Sequence, residues 1–491
     1  MDVQLGDDQT KPSEQVDKDL GLTRSVKELD ATCNSSEMEF STTLKKSKDK
    51  ISKSCATFKY EAFHVILGKP EMEEPDDLFK SLKFFLVVGR IIGVIPYSGV
   101  FKKFHTQLHF CPKSPAAILS FIIFVALVVN LMLGIVEMIR LPKRNALEIA
   151  TSVRAIIQFL WSCLIYFNFL LRGKKFLGLF QYWTKTSVFY GLKDRYLRRD
   201  VTLITILILS SAIGENAVLH LEYIRALDDI NGLRFGNATA NMPELETYYR
   251  RSHGYWASTL GYHEIFAVVA FLQHKCMLYG CNYMDIMLAV FSRAIYFKFK
   301  MLYRLANDHL AKPLRNGVSH TKSGKMMNRH AWIQLAQDHK RLCDLLQQFE
   351  NFFSPLVFGS YAVNIYYICI QLFDGLTVNI SSSSLVHSIY APWSFLHIIM
   401  RMYIVSICAA RINMYAHQIR NVLQECPVEY YNAEIARIDK KVTTGPEIGL
   451  TGLGCFVVTK PFILRIISVV FTFEIVLLQG ASPSTSGTSE C

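Results

Sequence analysis

The chain has 491 residues, of which 51% are apolar and only 19% charged, so a string of soluble domains of about 150 residues each is excluded and most of the chain is expected to avoid water. The 53 Lys and Arg against 41 Asp and Glu give a net charge of +12, yet these charges fall between apolar runs. No basic cluster interleaved with stacking aromatics sits on a polar domain, which excludes nucleic acid as a partner.

Residues 1–77 carry 17 acidic and 11 basic side chains and few apolar ones, so they are predicted to form a disordered cytosolic tail that cannot offset its ordering entropy. The opening residues, Met1 to Asp8, offer neither a basic region nor an apolar core, and a cleaved signal peptide is not expected. Residues 84–101 are apolar but interrupted by Gly89, Arg90, Gly93, Pro96 and Gly99, which predicts a re-entrant or interfacial segment rather than a full span. Seven later runs approach or exceed the roughly 20 residues that a helix needs to cross a bilayer. They lie near 116–138, 153–171, 201–224, 264–290, 353–373, 387–410 and 457–479.

Short loops rich in Lys and Arg stay on the cytoplasmic side. The connectors 172–200, 293–341 and 411–460 hold 25 such residues, whereas the alternate connectors hold six. The N-terminus is therefore predicted inside and the C-terminus outside, the reverse of a G-protein-coupled receptor. Counting 84–101 as a span would move only the N-terminal tail to the outside. Two glycosylation acceptors, Asn237 in Asn237-Ala238-Thr239 and Asn379 in Asn379-Ile380-Ser381, fall in connectors assigned to the outside. The inner connectors repeat apolar residues at helical spacing among basic ones, predicting a helical cytosolic anchor.

Twelve cysteines without a CxxC pair do not make a disulfide framework. Cys276 and Cys281, near His274, read as small core residues, and no metal or cofactor is expected. No HExxH, GxSxG, Walker A or GxGxxG signature appears with supporting context, so an enzyme is not expected.

Polar groups inside the spans are costly and mark function. In the sixth span Tyr390, Trp393, His397 and Arg401 lie at i, i+3, i+7 and i+11. The third span offers Glu215, Asn216 and His220, and the fifth Asn364, Tyr367 and Gln371. Gln158 and Trp161 come from the second, and His263 and Glu264 open the fourth. Together these residues predict an outer-half pocket in which amides, carboxylates and imidazoles match hydroxyls while aromatic faces cover C–H surface. A small neutral sugar or polyol is the expected ligand.

The last span ends Thr472-Phe473-Glu474-Ile475-Val476-Leu477-Leu478-Gln479. This stretch resembles the T-Y-h-h-h-h-h-Q-F ending of insect gustatory receptors, and Glu474 followed by Ile-Val-Leu-Leu-Gln is similar to the version in their sugar-receptor branch. Gly93-x-x-Pro96-x-x-Gly99 and the Thr451-Gly452-Leu453-Gly454 turn also resemble that family, and the likeness covers roughly residues 78–479.

The resemblance implies an all-α membrane protein with seven transmembrane helices over 78–480, acting as a ligand-gated nonselective cation channel in the plasma membrane of gustatory receptor neurons. It implies a homo- or heterotetramer with other gustatory receptors in the lipid bilayer, with the seventh helices lining the pore. Val476, Gln479 and Gly480 then belong to the pore and gate. Apart from the resemblance, the opposite charges of Arg401, at mid-depth on the sixth span, and Glu474 on the seventh are expected to touch and couple pocket to pore.

Phe473 stands where the family has Tyr, and Gly480 where an aromatic or aliphatic residue closes the motif. Residues 481–491 add a low-complexity tail. Either the gate is altered at Gly480 or the end of this sequence is that of a splice variant or an artefact. A metabotropic chemoreceptor, or a subunit that needs a co-receptor to conduct, is the competing expectation.

Overall fold

The computed structural model describes residues 78–102, 104–140, 146–190, 194, 196–234, 244–311, 329–377 and 385–481. The predicted tail over 1–77, the acceptors Asn237 and Asn379, and residues 482–491 lie outside this set. The described chain is helical apart from short turns and one small hairpin.

Leu78–Ile92 forms α1, which buries Leu78, Leu82, Phe85, Leu86 and Gly89 along one face. Its 15 residues are too few to cross a hydrocarbon layer of about 30 Å at 1.5 Å per residue. The chain then turns through Gly93 and Gly99, whose φ angles are +82° and +90°, the left-handed region that glycine enters without steric cost. Ser98 pairs with His109 in an antiparallel bridge, so the glycines and Pro96 shape a compact loop beneath α1.

Pro115–Arg140 is α2, with Ser114 accepting the Ala117 N–H at 3.2 Å as an N-terminal cap and Pro115 at the first turn, where its missing N–H costs nothing. Ala146–Leu171 is α3, Gly173–Tyr190 is α4 and Leu197–Arg234 is α5. Two short helices, α6 (Glu244–Ser252) and α7 (Gly254–Leu260), lead into α8 (Glu264–Ala311). Arg329–Thr377 is α9, Leu385–Gln424 is α10, Ala433–Thr443 is α11 and Lys460–Ala481 is α12.

Helices cover six of the seven predicted stretches, and the seventh is helical only from Lys460 because Val457 belongs to a strand. Among the described residues five helices are long and apolar enough to cross a membrane: α2, α3 from Val153, α5 to Ile224, α9 to Gly375 and α10 from Ser388. In α8 the run Gln273-His274-Lys275 interrupts the apolar stretch, and the side chains at the far end of α12 lie outside the described residues. Large apolar side chains remain uncovered on several of these helices, among them Phe121 and Ile122 on α2 and Leu203 and Ile206 on α5. Such a band suits contact with lipid, and the chain is a multi-pass membrane protein.

Helices α8, α9 and α10 contain 48, 49 and 40 residues, or about 60–74 Å at 1.5 Å per residue. They therefore run well beyond the apolar stretches, where α9 packs on α4 and on α11 and α10 packs on α11. Aromatic residues fill that extension: Phe291 lies 5.1 Å from Phe353 and Phe176 lies 5.3 Å from Phe352, centroid to centroid. Arg293 on α8 closes the layer by reaching Asp194 at 2.9 Å and Asp200, at the start of α5, at 2.6 Å. Helix α11 is capped by Asn432, whose side chain accepts two backbone N–H groups, and buries Ile435, Ile438 and Val442.

The turn before the last helix is a hairpin in which β1 (Thr451–Gly452) pairs with β2 (Phe456–Val457). Ser354 Oγ on α9 accepts the Leu453 N–H at 2.8 Å. Phe456 stacks on Phe462 with centroids 4.5 Å apart. The hairpin thus fixes where α12 starts against α9, while Leu464, Phe471 and Val476 on α12 stay exposed.

Candidate binding site

Helices α3, α5, α8, α9 and α10 surround a cavity of about 1030 Å³, at the upper end of the roughly 300–1,000 Å³ usual for small-molecule sites. A buried polar cluster lies at its base. Arg401 on α10 meets Asp285 on α8 at 3.3 Å and donates to Asn282 at 2.9 Å and to Asn364 on α9 at 2.6 Å. Asp285 also accepts from Ser360 at 2.5 Å and from Asn364 at 3.1 Å. His397 bridges Asn282 at 2.9 Å and Ser211 on α5 at 3.0 Å.

Above the base the walls carry hydrogen-bonding groups, amides and hydroxyls together with the Glu215 and Glu222 carboxylates. The Tyr367 hydroxyl donates to Gln158 on α3 at 2.7 Å. Gln371 donates to Ser394 at 2.8 Å, and Ser394 donates to Glu215 at 2.5 Å. Gln371 Oε1 and Asn216 Nδ2 are buried without a protein hydrogen-bond partner among the described residues. Both residues line the cavity, so one acceptor and one donor remain unsatisfied there. Towards the mouth Arg154 and Asp374 pair at 3.7 Å, each more than a third exposed.

Of the residues expected to bind ligand, Gln158, Trp161, Glu215, Asn216, Asn364, Tyr367, Gln371, Tyr390 and His397 line this cavity. Four others lie elsewhere. Trp393 is 42% exposed and packs across Gly214, with its indole N–H donating to the Ser211 carbonyl at 3.2 Å. His263 and Glu264 are exposed at the start of α8. His220 sits one step behind the wall, accepting from Lys275 and bonding Tyr248 at 2.6 Å. Lys275 also donates to the wall residue Asn216.

The expected contact between Arg401 and Glu474 is corrected by the structure. Arg401 is already engaged by Asp285, Asn282 and Asn364, and the buried Glu474 carboxylate has no hydrogen-bond partner among the described residues. Val476 is exposed on α12, whereas the side chains of Gln479 and Gly480 lie outside the described set. Sequence reasoning missed Asp285 and Asn282. An acid within the apolar stretch Met284 to Val290 is itself an intramembrane signal, but it was obscured by its nearness to the basic extension.

Close packing shapes one wall: a methyl group added at Gly359 would overlap the Trp161 indole. Gly359→Ala is expected to lower stability by about 1–3 kcal/mol through overpacking, read as a drop in the thermal midpoint of the purified protein. Adding Trp161→Phe should restore most of that loss, because the smaller ring vacates the space.

A family model described as "Trehalose receptor" matches residues 41–491. The Drosophila melanogaster gustatory receptors for sugar taste 64a and 64f are each 22% identical to the chain; the matches cover 83% and 88% of it and 86% and 89% of those proteins. Gustatory receptor 5a for trehalose, from the same organism, is 26% identical over 208 residues, 42% of this chain and 43% of its own. The fold is similar to that of the insect olfactory receptor OR5 from Machilis hrabei in complex with eugenol, with a TM-score of 0.56 and 15% identity, covering 82% of this chain and 98% of that one.

Proposed function

The chain belongs to the trehalose receptor family of insect gustatory receptors, and from that membership and the cavity we propose a sugar-gated nonselective cation channel. The observation that carries the reading is the lining of the cavity, in which hydrogen-bonding groups predominate and no cation lacks a carboxylate partner. Its Arg401 and Arg154 pair with Asp285 and Asp374, Glu215 and Glu222 add two further carboxylates, and the rest of its polar lining consists largely of amides, hydroxyls, imidazoles and aromatic rings. A neutral polyhydroxylated ligand can pair with such groups without bringing an uncompensated charge into a low-dielectric site.

In this reading all seven long helices span the plasma membrane, with the N-terminus inside and the cavity opening outwards. Four copies, of this chain or with other gustatory receptors, bring their α12 helices together, which covers the apolar face now exposed at Leu464, Phe471 and Val476. Val476, Gln479 and Gly480 form the constriction, where an apolar ring excludes ions by dewetting until the helices separate. Coupling runs through packing: Tyr367, whose hydroxyl faces Gln158, belongs to a cluster with Ile368 and Ile398 that packs against Val470 on α12. Sugar opens the pore only so far as it binds the open arrangement better than the closed one.

Whole-cell recording with G-protein signalling blocked tests the proposal. A fast cation current to one or a few extracellular sugars is expected. A response that requires the G protein would replace it with a metabotropic mechanism.

A further inference from the structure

A second cavity, of about 410 Å³, lies between α8, α10 and the first residue of α12. We propose that it binds a phosphate-bearing anionic headgroup, most simply that of a phosphoinositide in the adjacent leaflet. Three cations line it, one from each element: Lys300, Arg411 and Lys460.

None of the three has a carboxylate in ion-pair contact among the described residues. The acid that acts on Lys300 is Asp194, which Arg293 already engages at 2.9 Å. Lys300 lies ten residues beyond the apolar stretch 264–290, and its ammonium is held below the ordinary lysine range by burial and by the cations of Arg304, Arg411 and Arg293. Positive potential at this place is therefore not neutralised by the described residues.

Aromatic rings hold the cations in position. Lys300 lies 5.7 Å from the centre of the Tyr415 ring, Arg411 lies 5.5 Å from that of Tyr296, and the two rings stack at 6.2 Å. A cation resting on a ring keeps its N–H donors, and the hydrogen bond that Arg411 donates to the Tyr296 hydroxyl is long at 3.4 Å.

The surroundings favour a lipid over a free anion. Arg411 lies ten residues along α10 from Arg401, about 15 Å from the base of the sugar cavity. One turn past Lys460, Leu464 is 67% exposed, and Ile467 follows at 47%. The apolar Ile407 and Met414 complete the cavity wall. Cations beside an uncovered apolar strip match a phosphate headgroup joined to acyl chains. Because Lys460 begins α12, occupation of the cavity bears on the helix assigned to the pore, although binding itself does not depend on a sugar response.

The test uses the purified full chain in neutral detergent and a short-chain fluorescent phosphatidylinositol bisphosphate, with inositol trisphosphate and inorganic phosphate as competitors. Saturable binding is expected, and Arg411→Gln with Lys460→Gln should weaken it about 10- to 25-fold, near fivefold per cation. Both side chains are exposed, so the thermal midpoint without ligand should not change. Competition by inositol trisphosphate as strong as that by the lipid would keep the anion site and assign it a soluble source. Three results would overturn the proposal: no saturable binding, equal binding by the double variant, or a change of oligomer size in that variant with anion binding intact. The last would mean that a neighbouring copy fills the cavity. No arm requires sugar, so failure here and failure of the sugar-gating reading are separable.

Discussion

Arg401→Met is expected to abolish sugar responses and most surface expression, because it leaves Asp285 as a buried carboxylate without its cation. The Asp285 side chain is 3% exposed and Arg401 9% exposed, and breaking such a pair from one side costs about 3–5 kcal/mol. Asp285→Leu should be similarly damaging, since Arg401 would retain only the neutral Asn282 and Asn364 acceptors. The double replacement removes both charges and should recover a large part of the thermal midpoint and surface level, as apolar substitutes for buried pairs commonly do. Surface biotinylation and thermal unfolding of the four proteins measure this cycle. Additive losses in the double variant would show that the two residues do not act as a pair.

The second large effect concerns the unsatisfied amides. Gln371 Oε1 and Asn216 Nδ2 are buried without a hydrogen-bond partner among the described residues, so a sugar hydroxyl that reaches them gains hydrogen bonds for which none of these residues competes. Gln371→Leu and Asn216→Leu are each expected to raise the half-maximal sugar concentration about 5- to 150-fold, corresponding to about 1–3 kcal/mol per lost buried partner. Surface expression should change much less. His263→Ala, at an exposed position outside the cavity, should leave the dose–response curve where it was. Equal shifts in all three variants would move the sugar site away from the cavity.

The helices were legible because apolar run length is a direct physical constraint on a membrane chain. The cavity was partly legible for the same kind of reason. At about 100° per residue, His397 and Arg401 project within about 20° of Tyr390 along α10, and all three line the cavity. Trp393 projects about 60° away, enough to carry its ring across Gly214 on the flank of α5. The spacing was therefore informative, but the width of the polar face was drawn too generously. Asp285 was hidden for a different reason: α8 runs unbroken from Glu264 to Ala311, so nothing in the sequence marks where its membrane part ends. The Arg401 to Glu474 pairing failed because opposite charges on two spans say nothing about the rotation of either helix. A side chain's partner is set by packing, and Asp285 on α8 is nearer.

The most direct measurement is single-channel recording from the purified chain reconstituted alone in a planar bilayer, with sugar added to one side. The account predicts cation openings that appear with trehalose or another sugar, vanish on washout and shift to higher concentration in Gln371→Leu. A correctly folded preparation that binds sugar yet stays silent, both alone and with a second receptor subunit present, would contradict a sugar-gated channel.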